Sequence, residues 1–328
     1  MYNWGIMATG GIANTFAKAV NYVKDANLYA AASRSLDKAE SFAKEYGVEK
    51  AYGSYEELVQ DEKVDIIYIA TPMNCHYENV KLCLEYGKNV LCEKAITINA
   101  VQLKELIELA REKDLFFMEA MWTKCLPAFR KAKEWVAEGR IGVIQMIKAD
   151  FSNQVPYQED SRLFRKDLGG GALLDLGVYP ISMATYFLGT KPKQIVSNAR
   201  IGQSEVDFDC GIMLQYEDAF AMLTCGFDIP CQNNATIVGS KGTISFGDWF
   251  FTSTEVKLYN NKFELLEEVS VPHECNGYEY EIMEAHRSLD NNQKESTIIP
   301  LSDTLDIMKI MDQCRKDWGF QYPEEESF

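Results

Sequence analysis

The chain has 328 residues, 47% apolar and 25% charged, with a formal net charge of −16 at pH 7. That length predicts about two domains with room for sizeable cores, and the acidic balance argues against nucleic acid or an anionic membrane surface as a partner. No apolar run reaches the roughly 18 residues of a membrane span, residues 1–13 carry no signal-peptide pattern, and nine scattered cysteines without a C-x-x-C pair fit reduced thiols in the cytoplasm better than zinc or a disulfide framework.

Residues 4–7 read as a strand and 15–23 as a helix. Between them runs Ala8-Thr9-Gly10-Gly11-Ile12-Ala13, the place where a dinucleotide fingerprint G-x-G-x-x-G/A would sit. Gly10 permits close approach of a phosphate and Ala13 is small enough for helix–strand packing, but Ala8 stands where the first glycine belongs. Alone, two glycines in a strand–turn–helix are as readily plain α/β punctuation. The alternation continues: strand over 27–33, helix over 37–46, a short ambiguous stretch at 51–53, helix over 55–60, and a buried strand at 65–70 stopped by Thr71-Pro72. Then come helix 76–86 with Gly87 as its stop, strand 89–92, a long amphipathic helix over 99–113 and strand 115–119. Repeated βα units of this length predict a doubly wound parallel sheet.

The rhythm changes near residue 120. After a helix over 129–138, short alternating strands predominate, at 144–152, 193–202, 211–215, 219–228, 235–238, 243–246 and 256–259. They predict an antiparallel sheet, interrupted by helices at 171–188 and 278–289 and closed by a helix over 302–318 with Ser302 as its cap. The expected division is a dinucleotide-binding domain over 1–120 and a second α/β domain over 121–328, with the last helix able to pack back on the first domain.

Several positions suit chemistry. Strand two ends at Ser33, where an NAD site would place an acid; Arg34, with Lys38 one turn on, suits a 2′-phosphate instead, so NADP is favoured over NAD. A basic residue at a strand end is also common on plain surfaces. Thr71, Pro72, Asn74 and His76 follow the most apolar strand, at the end where open α/β sheets bind ligands; a Pro turn with a helix cap reads equally well. Lys94, after Cys92-Glu93, is awkward unless it faces a cleft; otherwise it snorkels to the surface. In Gly169-Gly170-Gly171 through Asp175 to Tyr179, helical spacing puts Asp175 and Tyr179 on one face. A tyrosine near a lysine can serve as general acid and base, because the ammonium stabilises the phenolate. Trp122, near the change of rhythm, offers a sugar-stacking wall or simply a core indole, and Arg162, Phe164 and Tyr278 join it as candidate pocket wall. His76, His273 and His286 lack metal-ligand spacing, so no metal is expected.

Taken together, these segments resemble the glucose–fructose oxidoreductase/inositol dehydrogenase/MocA (Gfo/Idh/MocA) family. The resemblance rests on Trp4-Gly5-Ile6 through Ala13, Ala70-Thr71-Pro72, Cys92-Glu93-Lys94, Glu119 to Thr123, and Gly170 to Tyr179; residues 50–58 and 299–302 resemble its dimeric dihydrodiol dehydrogenase/D-xylose dehydrogenase branch. It implies a Rossmann domain followed by an α/β domain with an open, mostly antiparallel sheet, often the dimer interface, so a homodimer or higher oligomer is expected. It also implies hydride transfer between nicotinamide C4 and a carbinol carbon of a sugar, polyol or cyclic diol. Ala8, Gly10, Gly11 and Ile12 would hold the pyrophosphate. Ser33, Arg34 and Lys38 would hold the adenosine ribose, and Thr71, Pro72, Asn74, His76, Glu93 and Lys94 the rest of the cofactor. Lys94, Tyr179 and Asp175 take the family's catalytic positions. Two departures stand out: Ala8 for the first glycine, and Ala95 for the proline after Lys94. The alternatives are a non-catalytic dinucleotide sensor on the same fold, and a reductase of an imine or linear tetrapyrrole.

Overall fold

Six strands build one parallel sheet: β1 (Tyr2–Met7), β2 (Ala26–Ala32), β3 (Lys50–Tyr52), β4 (Ile66–Ile69), β5 (Asn89–Glu93) and β6 (Phe117–Ala120). Their order is β3-β2-β1-β4-β5-β6, and every neighbouring pair is parallel. The computed structural model describes residues 1–323 and Glu325. The helices between the strands are α1 (Gly11–Tyr22), α2 (Leu36–Tyr46), α3 (Tyr55–Gln60), α4 (His76–Glu85) and α5 (Ala100–Glu112). The strand order reverses between β1 and β4, and in such sheets ligands bind outside the carboxyl ends of the strands at that point.

Both faces of this sheet are covered, which explains why β4 is apolar throughout rather than alternating; all four of its residues are buried. α1 turns Ala13, Phe16, Ala17 and Val20 inward, and the Phe16 ring stacks on Tyr68 of β4 with centroids 3.5 Å apart. Each fully buried Phe or Val contributes about 1.5–3 kcal/mol, so this one face anchors the helix. Gly47 ends α2 in the left-handed conformation, and Ser54 with Glu57 closes a reciprocal capping box on α3.

The second sheet has eight strands in the order β14-β13-β12-β11-β7-β10-β9-β8. They are β7 (Ile144–Ser152), β8 (Gln194–Ile201), β9 (Asp207–Gln215), β10 (Phe220–Gly226), β11 (Ala235–Gly239), β12 (Gly242–Phe246), β13 (Glu255–Asn260) and β14 (Leu265–Ser270). All pairs are antiparallel except β7 with β10. α6 (Pro127–Ala137) and α7 (Val178–Leu188) pack on one face. The other face exposes apolar side chains, among them Val196, Phe220 and Met222. The stretch Lys166–Leu188 passes the length and hydropathy test for a membrane span, but most of its apolar window is buried inside the protein, as in a core helix.

Two strand readings need correction. β9 begins at Asp207, not 211, because Asp207 and Asp209 read as turn residues while their burial in the strand is compensated by partners elsewhere in the chain. β14 is an exposed edge strand without clean alternation and gives no strand signal.

The chain divides into two compact units, Met1–Trp122 with His273–Thr304, and Thr123–Pro272 with Leu305–Phe328. The later segment that joins the first unit is therefore 273–304, which carries α8 (Glu279–Asp290) and the first residues of α9 (Leu301–Asp317). Side-chain chemistry accounts for this. Trp4 Nε1 donates to His286 Nε2 at 3.0 Å, and Asn276 Nδ2 donates to the Thr15 carbonyl at 2.9 Å. After Thr304 the polar anchors lie in the second unit: Thr190 Oγ1 donates to Asp306 at 2.9 Å, and Trp318 Nε1 to Ser197 Oγ at 3.0 Å.

Candidate active site

In the first unit the candidate residues gather at the carboxyl ends of the strands. After β1 the chain turns through Ala8, whose φ is 77°. This is the left-handed region that glycine enters freely and that costs an alanine about 1–2 kcal/mol. The departure from the fingerprint is therefore a residue accepting the glycine's conformation, not a different turn. Its N–H continues the sheet ladder to the Ala32 carbonyl at 2.9 Å.

Gly10 then caps α1. The first intrahelical bond joins Asn14 N–H to the Gly10 carbonyl at 3.2 Å, so the N–H groups of Gly11, Ile12 and Ala13 precede the helical ladder. No side chain caps this end and its first turn holds no acid. Gly10 and Gly11 are exposed, and a Cβ on either would meet nothing within 4 Å. An open, acid-free helix start with available N–H groups fits a pyrophosphate.

At the end of β2, Ser33 is nearly buried and its Oγ accepts the Ser35 N–H at 3.4 Å. Arg34 and Lys38 are exposed, and neither forms an ion pair among the described residues. Arg34 exerts its charge on Tyr55 of α3, opposing the burial that raises that phenol's pKa. Two uncompensated cations at this strand end fit a 2′-phosphate.

His76 is held by the backbone of two turns. It is buried, and its ring nitrogens lie 2.9 Å from the Thr71 carbonyl and 3.0 Å from the Ala95 carbonyl. Both polar atoms serve to tie the turn after β4 to the turn after β5. Thr71 is similarly engaged, its Oγ1 accepting from Asn79 Nδ2 at 2.9 Å. Pro72 is exposed and Asn74 half-buried, so these two remain at the surface of the turn.

Glu93 at the end of β5 is buried; it accepts from the Tyr68 hydroxyl, and its second oxygen accepts the Lys94 N–H at 3.2 Å. Both carboxylate oxygens are thus engaged within the protein. Lys94 itself is half-buried, followed by a cis peptide to Ala95. Glu281 of α8 shares this interior: it is fully buried, neither carboxyl oxygen has a partner among the described residues, and burial followed by the Glu93 charge pushes its pKa well up. Trp122 and Tyr278 stack at 4.7 Å and are both nearly buried. A Cβ on Gly277 would come within 2.5 Å of the indole, so the backbone lies against that ring and little of it is left to form a wall.

In the second unit, Asp175 sits in a π-helical turn, Leu173–Gly177, that leads directly into α7. Pro180 explains the widening: it has no N–H to give, and its ring would strike the carbonyl one turn back in a regular helix. Asp175 and Tyr179 therefore do not keep the simple four-residue helical spacing. Arg162 Nη1 lies 3.2 Å from Asp175 Oδ1. Tyr179 is nearly buried between Phe151 and Phe251, with centroids at 5.3 and 5.2 Å. Phe164 is a core residue, packed against Phe208 and Phe227. Arg162 thus joins the Asp175 group, while Phe164 belongs to the core instead of a pocket wall. Phe251, Tyr68 and Glu281 carry no motif and escape sequence reasoning. Among the described residues no cluster of three His, Cys, Asp or Glu side chains could hold a metal.

Residues 2–121 match the model of an oxidoreductase family with an NAD-binding Rossmann fold, and residues 129–245 the GFO/IDH/MocA C-terminal domain. The trans-1,2-dihydrobenzene-1,2-diol dehydrogenase of Xenopus laevis is 35% identical over 328 residues, covering 98% of this chain and 99% of that protein. The Homo sapiens protein of the same name is 33% identical over 333 residues, with 98% of each covered. Among solved structures, KijD10, a 3-ketoreductase from Actinomadura kijaniata in complex with NADP and TDP-benzene, superposes with a TM-score of 0.85 at 27% identity, covering 96% of this chain and 97% of that one. It has also been solved with a lysine or a tyrosine replaced. Levoglucosan dehydrogenase, in complex with NADH and levoglucosan, shares the fold at a TM-score of 0.87 and 18% identity, with 97% of each chain covered.

Proposed function

Since the chain belongs to the Gfo/Idh/MocA oxidoreductase family, with that family's NAD-binding Rossmann domain, we propose that it is an NADP-preferring dehydrogenase or reductase acting on a sugar, polyol or cyclic diol. The observation that carries this reading is the joint presence of Lys94, directly after a buried parallel strand, and Tyr179, framed by aromatic rings at the start of α7. A lysine and a tyrosine are also the residue types replaced in variants of the 3-ketoreductase. The nicotinamide, when bound, supplies or accepts the hydride at C4. Tyr179 Oη gives a proton to the substrate oxygen in reduction and takes it back in oxidation. The Lys94 ammonium stabilises charge that develops on the substrate oxygen. Asp175, held by Arg162, takes a second substrate hydroxyl. NADPH absorbance measured against a panel of aldoses and cyclic diols tests the reading; NADP binding with no turnover across the panel would favour the sensor instead.

Cofactor preference rests on Arg34 and Lys38. Losing a charge-assisted hydrogen bond of about 1.5–3 kcal/mol corresponds to roughly 10- to 100-fold in affinity. Arg34→Ala is expected to weaken NADP by that factor in calorimetric titration and to leave NAD nearly unchanged. Equal loss for both dinucleotides would remove the argument.

The open face of the eight-stranded sheet supports a homo-oligomer. Val196 and Met222 are 46% and 53% exposed on neighbouring parts of that face, beside a groove they share with Met213 and Lys148. A contiguous apolar patch of this kind suits a second copy. Sedimentation is expected to find a dimer or larger species that Met222→Lys dissociates; a monomeric parent protein would end the proposal. Nine free cysteines support a reducing, cytoplasmic location, and the charge of −16 supports a partner list without nucleic acid.

A further inference from the structure

Asp207, the first residue of β9, is fully buried. Its Oδ2 accepts the Leu173 N–H at 2.6 Å, and its Oδ1 has no hydrogen-bond partner among the described residues. That second oxygen faces the Gly171 backbone: a Cβ on Gly171, whose φ is 124°, would come within 2.2 Å of it. Gly170 is equally hemmed in. A Cβ there would lie 2.7–2.8 Å from the carbonyl oxygens of Arg162, Leu163 and Arg165. The glycines at 170 and 171 are therefore a close-approach device. They seat the chain against the short turn that carries Arg162 on one side and against the Asp207 carboxylate on the other. Directly after them begins the turn with Asp175, then Tyr179. From the opposite side, Tyr322 Oη donates to the Gly170 carbonyl at 2.7 Å.

We propose that Asp207 is a positioning residue for the reaction: its carboxylate, fixed on Leu173 N–H, sets the first turn of the helix that presents Asp175 and Tyr179. This rests on the catalytic reading of those two residues given above. A buried oxygen without a partner costs stability, and an apolar residue at the head of β9 would avoid that cost. What the carboxylate supplies instead is an acceptor for one of the N–H groups a helix start leaves open. The ionisable groups around it are Arg315 on α9, Tyr322 beyond that helix and Cys210 on its own strand. Burial pushes the Asp207 carboxyl up to about 7, against the pull of the Leu173 N–H and the Arg315 charge. The acceptor is therefore charged above neutrality and neutral below it.

The experiment compares the wild type with Asp207→Asn and Asp207→Ala, using NADP and a substrate accepted in the panel. Asp207→Asn, which keeps an oxygen for Leu173, is expected to retain more activity than Asp207→Ala. Both should lower kcat tenfold or more with KM for NADP unchanged, and both should lose a kcat limb near pH 7 present in the wild type. Unaltered kcat and pH profile in the two variants would overturn the proposal. Hydrogen exchange is read in parallel at pH 8. Asp207→Ala, or Asp207→Asn if the alanine variant does not fold, should raise exchange at residues 172–177 about tenfold relative to the strands of the eight-stranded sheet. Unchanged exchange there would also overturn it. If the wild type turns over nothing in the panel, the functional reading falls, while the exchange result still decides whether Asp207 sets this turn.

Discussion

Tyr179→Phe lowers kcat by roughly a hundred- to ten-thousand-fold, the usual contribution of a positioned proton donor, and leaves NADP affinity unchanged. The ring stays in place because Phe151 and Phe251 hold it by its edge and face, so only Oη is removed. Lys94→Met keeps the length of the side chain and removes its charge. Without the ammonium, charge developing on the substrate oxygen loses its stabilisation, so kcat should fall by roughly a hundredfold or more. Steady-state NADPH kinetics read both variants. Untouched kcat in both variants on a genuine substrate would remove Lys94 and Tyr179 from the chemistry.

What was legible in the sequence follows from which physical signals are local. The parallel sheet was legible because β4 and its neighbours are buried on both faces and the intervening helices keep a 3.6-residue period. The turn after β1 was legible as an open helix start despite Ala8, because the glycines that follow leave it uncrowded. The contacts of His76 were not legible, since the two backbone carbonyls beside its ring come from different loops. The triple glycine was visible as unusual, but its reason was not: the atoms that exclude a Cβ belong to Asp207, 36 positions on, and to the carbonyls of residues 162–165. α8 was legible as a helix but not in its burial: Glu279, Glu281 and Glu284 are all buried. Glu279 accepts three backbone N–H groups, from Cys275, Asn276 and Gly277, and Glu284 binds Arg287 and Ser296. The Glu284–Arg287 pair keeps a local i,i+3 spacing, but the backbone loop before the helix and Ser296 after it are contacts that the helical pattern does not reveal.

Glu281 is the exception among the three, and its replacement should raise stability. Neither of its oxygens has a partner among the described residues, and an unsatisfied buried polar group costs about 1–3 kcal/mol. The pH dependence fixes the sign. Burial, then the nearby Glu93 charge, raises its folded-state pKa well above the value of an unfolded glutamate near 4.3. As pH rises through that unfolded value, the unfolded chain releases the proton while the folded chain keeps it. The folded state therefore loses stability by about 1.4 kcal/mol per pH unit from this group alone, until the folded-state pKa is reached. Glu281→Met, similar in shape and without a titrating group, removes both the orphaned carboxyl and the slope. Its unfolding midpoint in urea should exceed that of the wild type at pH 5, and by a wider margin at pH 8. Glu281→Gln should flatten the slope while gaining less at pH 5, because its amide still has no partner. Asp207 adds a slope of the same sign up to its pKa of about 7, but it does so in both proteins and leaves the margin between wild type and Glu281→Met unaffected. A margin that stays constant from pH 5 to 8 would mean that Glu281 ionises freely in the folded protein, and the account of its burial would be wrong.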